Sequence, residues 1–301
     1  MKRLLGIILI QIGLYFPSNC QDFSSEFNQY LQEKDSLGQI EVLKKWENTT
    51  PYDPELCVAY FNHYVNQARK EVLGLADVTG SEDALAIQDS SGETQAYITG
   101  QVYYLEKPFR LGINKIDEGI EKFPDRLDMR FGKLHVLSEA KYWDEFTEEL
   151  KKTVTHSSTN DNRWTWTLGE ELAGGAKKFL SVLQTYQLKF YQSGDKALLG
   201  NMREVAEKIL EFYPEHVESL SNISVTYLLT EKYDDAISYL LKAEKIAPED
   251  YIVLANIARA YSLKGDKAKA ISYYEKVIKE GDERTAEFAK EQINLLSSSD
   301  K

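Results

Sequence analysis

Residues 217–250 read VESLSNISVTYLLTEKYDDAISYLLKAEKIAPED, and residues 251–284 read YIVLANIARAYSLKGDKAKAISYYEKVIKEGDER. The second line repeats the first. Leu220, Ile223, Tyr227, Tyr233, Ala236, Leu240, Ala243 and Pro248 are answered by Leu254, Ile257, Tyr261, Lys267, Ala270, Tyr274, Val277 and Asp282. The offset is constant: 254 − 220 = 34, 270 − 236 = 34 and 282 − 248 = 34. A small residue recurs mid-copy at Ala236 and Ala270, with large apolar and aromatic residues on either side. Pro248 cannot continue a helix and closes the first copy.

The period and these residues resemble the tetratricopeptide repeat, a helix–turn–helix unit of 34 residues. The resemblance implies two antiparallel helices per copy, neither able to bury its apolar stripe alone. Small Ala at the crossing lets the backbones approach, and Gly265 suits a turn that needs positive φ. The implied fold is all-α: a right-handed α-α superhelix with a concave face. In this family the first helix of each repeat lines the groove, and an Asn before a packing residue holds an extended peptide. Asn222 and Asn256 stand in those places before Ile223 and Ile257, and Val225 and Arg259 share the next inward position. An Asn amide offers donor and acceptor to a peptide unit, and Arg259 can pair with a carboxylate or lie over a ring.

Upstream, the same period returns with weaker residues. Pro214 precedes Pro248 by 34, and Phe109 and Gly112 precede Trp143 and Phe146 by 34. Leu37, Ile40, Leu43 and Trp46 form a helical stripe, and Glu55 to Leu73 reads as another. Residues 37–158 are thus expected to hold degenerate repeats and 160–216 a divergent one. Thr153 to Asn162 reads as a polar connector, and residues 285–296 as a capping helix. Between Gly74 and Gly100 the helical pattern stops. Ala84–Gln88 and Glu93–Ile98 flank Asp89-Ser90-Ser91-Gly92, which predicts a β-hairpin over 84–98 inserted in a single repeat domain, 21–301.

Residues 1–20 have the form of a secretion signal: basic Lys2 and Arg3, a short apolar run Leu4–Phe16, then Pro17-Ser18-Asn19-Cys20. Cleavage after Cys20 gives a soluble periplasmic or secreted protein. Lipidation of Cys20 gives an outer-membrane lipoprotein, although Asn19 and Pro17 depart from the usual lipobox. Cys57 stands alone in an apolar run and reads as a small buried residue. The net charge of −12 argues against nucleic acid as a partner, since phosphate binding needs a basic face.

Catalytic motifs do not emerge. His63, His135, His156 and His216 are dispersed, and no His-Glu-x-x-His, Gly-x-Ser-x-Gly or phosphate-loop pattern occurs. Asp77, Thr79, Ser81 and Asp83 alternate like a calcium loop, but Glu82 and Gln88 occupy its Gly and Glu positions. No metal or cofactor is expected. The sequence therefore predicts a non-catalytic scaffold of the bacterial envelope that binds a protein or peptide, attached to a membrane only through Cys20 if at all. A carbohydrate-binding accessory protein of an envelope nutrient-uptake system, contacting sugar through the hairpin with Trp164 and Trp166, is the alternative. An enzyme is the third reading.

Overall fold

The computed structural model describes residues 19–76 and 84–298, with side chains from residue 23 onward. The apolar run of the expected signal and the calcium-like loop at 77–83 lie outside the described residues, and of Cys20 only the backbone is described. The chain divides into two compact units, Met1–Lys122 and Phe123–Lys301.

The first unit contains helices α1 (Asn19–Gln32), α2 (Ser36–Thr49), α3 (Pro54–Ala68) and α4 (Glu106–Lys122), with strands β1 (Arg69–Ala76), β2 (Leu85–Gln88) and β3 (Thr94–Tyr104) between α3 and α4. Phe27, Leu43, Trp46, Leu56 and Tyr60 form its helical core. Asp53 starts α3 by accepting from the Glu55 amide at 2.9 Å, with Pro54 at the first helical position. The other carboxylate oxygen of Asp53 accepts from the Trp46 indole at 2.8 Å, fixing α2 against that cap. Gly112 of α4 faces α3, and a Cβ there would stand 3.1 Å from Val65 Cγ2. Glycine thus fills the small-residue role at this crossing.

The expected hairpin is present as β2–β3, but it belongs to a three-stranded antiparallel sheet of order β1-β3-β2. The helix read through Leu73 ends at Ala68. There the Ala68 carbonyl accepts from the Leu105 amide at 2.8 Å, and Arg69 to Ala76 pair residue by residue with Tyr104 to Tyr97. The apolar stripe of Glu55–Leu73 had hidden this switch, because Val72 and Leu73 satisfy either period. Helix α4 accordingly begins at Glu106, directly after β3 ends at Tyr104.

The second unit holds α5 (Leu127–Glu139), α6 (Trp143–Thr159), α7 (Gly175–Gln192), α8 (Leu199–Phe212), α9 (Val217–Leu228), α10 (Tyr233–Ile246), α11 (Tyr251–Lys264), α12 (Lys267–Glu280) and α13 (Glu283–Ser298). Neighbouring helices along the chain pack together, except that α6 packs on α8 rather than on α7, and the fold is all-α apart from the small sheet. Ala236, Ala243 and Ala270 are fully buried among Leu240, Ile257 and Val277. Gly265 ends α11 at φ +89°, as its turn requires. The polar stretch from Thr153 is not a connector, because α6 continues to Thr159. Its buried hydroxyls return to the helix: Thr153 donates to the Glu149 carbonyl at 2.7 Å and Ser157 to the Val154 carbonyl at 2.6 Å.

Candidate functional site

Asn222 and Asn256 occupy equivalent turns of α9 and α11 but differ in access. Asn222 is 8% exposed. Its amide nitrogen donates to Gln184 Oε1 at 2.9 Å and Gln187 Oε1 at 3.2 Å, while its oxygen accepts from Gln184 Nε2 at 3.2 Å. Two glutamines of α7 therefore consume the groups a peptide would need. Asn256 is half-buried, with no side-chain hydrogen bond among the described residues. Arg259, one turn further along α11, is exposed, and Val225, one turn beyond Asn222, is half-buried. The 34-residue spacing placed the two Asn residues alike. The closure of Asn222 was not legible, because its partners lie 38 and 35 residues upstream in a divergent region.

A second feature is the loop joining α6 to α7. It is tied down by backbone bonds from Leu127 to Thr165 (2.9 Å), Thr165 to Asp125 (2.9 Å) and Leu172 to Trp164 (2.9 Å). With the end of α6 it walls a cleft of about 660 Å³ lined by Asp125, His156, Asn160, Arg163, Trp164 and Glu171, among others. Asp125 Oδ1 accepts from His156 Nε2 at 2.8 Å and from Asn160 Nδ2 at 3.0 Å. Partial burial pulls the Asp125 carboxyl upward, but these two hydrogen bonds with the imidazole's charge outweigh it and hold the carboxyl below its usual range.

Trp164 and Trp166 part company in this loop. Trp164 is 1% exposed, stacked on Phe179 at 5.4 Å and tilted against His156 at 5.4 Å, so its faces are occupied by packing. Its Nε1 and Asn160 Oδ1 are buried without a hydrogen-bond partner. Trp166 is 36% exposed and meets Phe131 edge-on at 6.0 Å. Among the described residues, no group of three His, Cys, Asp or Glu side chains is placed to hold a metal, and no helix is long and apolar enough to cross a membrane. Cys57 is buried, and burial raises its thiol pKa, which disfavours the reactive thiolate.

Residues 217–250 and 252–280 match the tetratricopeptide repeat family. No curated protein matches the chain. Among solved structures, the C-terminal part of a TPR repeat-containing protein from Cytophaga hutchinsonii is similar at 14% identity, over 91% of this chain and 95% of that one, with a TM-score of 0.43. YrrB, described as a TPR protein with an unusual peptide-binding site, is similar at 13% identity over 83% and 97%, TM-score 0.41. MamA is similar at 15% identity over 60% and 92%, TM-score 0.39.

Proposed function

We propose that this chain is a non-catalytic scaffold of the bacterial cell envelope that holds a protein or peptide partner on its repeats. The observation that carries the reading is the pair of hairpins at 34-residue period, α9–α10 and α11–α12, which leaves Asn256 and Arg259 available on one face of α11. Stacked hairpins of this kind create extended binding surfaces without catalytic chemistry. Asn256 supplies an amide for a peptide unit and Arg259 a fixed positive charge for a partner carboxylate. Export rests on residues 1–20, with Cys20 as the residue that would carry a lipid.

The test is capture from native envelope with a C-terminal tag in mild detergent. One stoichiometric envelope protein is expected, and Asn256→Ala with Arg259→Ala should reduce it while the helical circular dichroism signal stays unchanged. Asn222→Ala should matter less to capture than Asn256→Ala, since Asn222 is closed off by α7. A wild-type protein that captures nothing would sink the scaffold reading. Unaltered capture by the double variant would remove the site and leave the scaffold. Cys20→Ser separates the two N-termini: loss of membrane association and of incorporated fatty acid marks the lipoprotein, and no change marks the cleaved form.

A further inference from the structure

The cleft beside the α6–α7 loop holds polar groups that the fold leaves unused. Asn160 and Trp164 line it, 9% and 1% exposed. Asp125 orients the Asn160 amide, because a carboxylate accepts and so takes the Nδ2 side at 3.0 Å. That leaves Asn160 Oδ1 as a buried acceptor without a partner, and Trp164 Nε1 is a buried donor without one. Buried polar groups are ordinarily paired, and an orphan costs free energy until something pairs it. These two orphans are of opposite kind: one calls for an N–H or O–H, the other for a carbonyl or hydroxyl oxygen.

The charges of the lining add a third requirement. Asp125 meets His156 and Asn160 through Oδ1 alone, and its Oδ2 has no hydrogen bond among the described residues. Glu171 is exposed, with no ion-pair partner among the described residues. Among the lining residues the one permanent cation, Arg163, already has Asp161 Oδ2 at 3.5 Å. Two carboxylates thus stand against no free cation, and the cleft favours a cationic ligand. We propose that this cleft binds the free amino terminus of a polypeptide, its ammonium against Asp125 and Glu171 and the backbone behind it against Trp164 and Asn160. A backbone carbonyl accepts from Trp164 Nε1 and a backbone N–H donates to Asn160 Oδ1. A simple diamine brings the charge but no carbonyl, and a saccharide pairs both orphans but brings no charge. A free α-amino group has a pKa of about 7.7–8.0 and is mostly protonated at neutral pH. The volume of about 660 Å³ lies within the range of small-ligand sites, roughly 300–1,000 Å³. The inference rests on the reading of a protein or peptide partner and names which end of that partner is held.

Titration of the purified protein with trialanine amide tests this, followed on the tryptophan indole N–H signals in proton–nitrogen correlation spectra. The chain has four Trp residues, and Trp164→Phe identifies the Trp164 signal by its loss. A Kd of order 0.1–1 mM is expected for a ligand of this size, with the Trp164 signal moving as it binds. Acetyl-trialanine amide, the same backbone without the ammonium, should bind at least roughly tenfold more weakly. Asp125→Asn keeps an oxygen for His156 and Asn160 but removes the charge, and should weaken trialanine amide by a similar factor. Acetyl-lysine methylamide carries its ammonium four methylenes from the backbone and should bind no better than the acetylated peptide. Equal affinity for the acetylated peptide, or unchanged affinity in Asp125→Asn, overturns the proposal. So does a lysine derivative that binds as tightly as trialanine amide, which would assign the cleft to a side-chain ammonium. No binding up to about 10 mM overturns it as well. Maltotriose moving the Trp164 signal where the peptide does not would overturn it in favour of a saccharide. The titration needs no captured partner, so its failure removes the cleft and leaves the scaffold reading to the envelope capture.

Discussion

Two helix pairs of the second unit differ in what fills their seams. Between α11 and α12 the buried residues are Ile257, Ala258, Ala260, Tyr261, Ala270, Tyr274 and Val277. Between α5 and α6, alongside Leu134, Leu137, Phe146 and Leu150, three charges are buried. Glu149 accepts from Arg130 at 3.0 Å and from Lys133 at 2.8 Å, with side-chain exposures of 3%, 7% and 9% respectively. The apolar seam stays close to the repeat pattern and is matched to the family, whereas the charged seam is not. Packed helix pairs in this chain thus use either solution, but only the first is written in residue types that repeat.

The largest expected effect comes from breaking the charged seam. Glu149→Ala removes the buried anion that Arg130 and Lys133 share and should cost about 3–5 kcal/mol. Replacing the whole triad, with Arg130→Met, Lys133→Met and Glu149→Leu, should be near neutral, because no desolvated charge is then left unpaired. Urea denaturation of the three proteins, wild type included, decides it. If the single variant unfolds at the wild-type midpoint, the triad does not hold this hairpin.

The matching insult to the apolar seam is smaller. Ala270 is fully buried where α11 and α12 approach. Ala270→Leu forces the helices apart and should cost about 1–3 kcal/mol. The same change at exposed Ala268 should cost little, so the difference between the two midpoints isolates packing from propensity. Equal midpoints would mean the small residue is not a packing requirement.

This contrast explains what the sequence disclosed. Period, small residues and Pro248 revealed α9 to α12, because packing between repeats constrains residue type at each offset. The polar seams of the front were opaque, since Arg130, Lys133 and Glu149 look like solvated helix residues until their partners across the hairpin are known. Strand β1 was missed because its pairing with β3 is set 21 to 35 residues away, as Ala76↔Tyr97 and Arg69↔Tyr104 show. For the candidate binding face, the spacing located Asn222 and Asn256 but not the glutamines that close one of them.

A second polar seam, between α2 and α3, adds a pH dependence that the apolar hairpins lack. His63 is buried, with Nδ1 2.8 Å from Gln39 Oε1 and Nε2 3.0 Å from Gln67 Nε2, contacts that suit a neutral ring protonated on Nδ1. Burial lowers its pKa below the usual 6.5. The unfolded chain then binds the proton more readily. Stability is therefore full above the unfolded pKa and falls as pH drops through it towards the folded value, by at most about 1.4 kcal/mol per pH unit. Between pH 7.5 and 5.5 the expected loss is at most about 1.4 kcal/mol. His216 is also lowered by burial, opposed by Glu218, so the His63 share is the slope removed by His63→Gln. An unchanged slope would exclude His63 as the source.

The smallest effect tests whether the two clear copies are equivalent at their turns. Both close alike: the Asp266 amide donates to the Tyr261 carbonyl at 2.9 Å, and the Lys232 amide to the Tyr227 carbonyl at 2.9 Å, 34 residues earlier. The left-handed residue is Gly265 at φ +89° in one copy and Glu231 at φ +60° in the other. A side chain there costs roughly 1–2 kcal/mol, offset by the roughly 0.5–1 kcal/mol of chain entropy that glycine loses on folding. Glu231→Gly should therefore stabilise by about 0.5–1 kcal/mol. Gly265→Ala should destabilise by a similar amount, and through φ alone, since a Cβ there meets nothing within 4 Å. Opposite shifts in the urea midpoint at constant slope would show that the repeats share one turn geometry filled by unlike residues. Shifts of the same sign would show that the turns differ and that the period is conserved only in the helices.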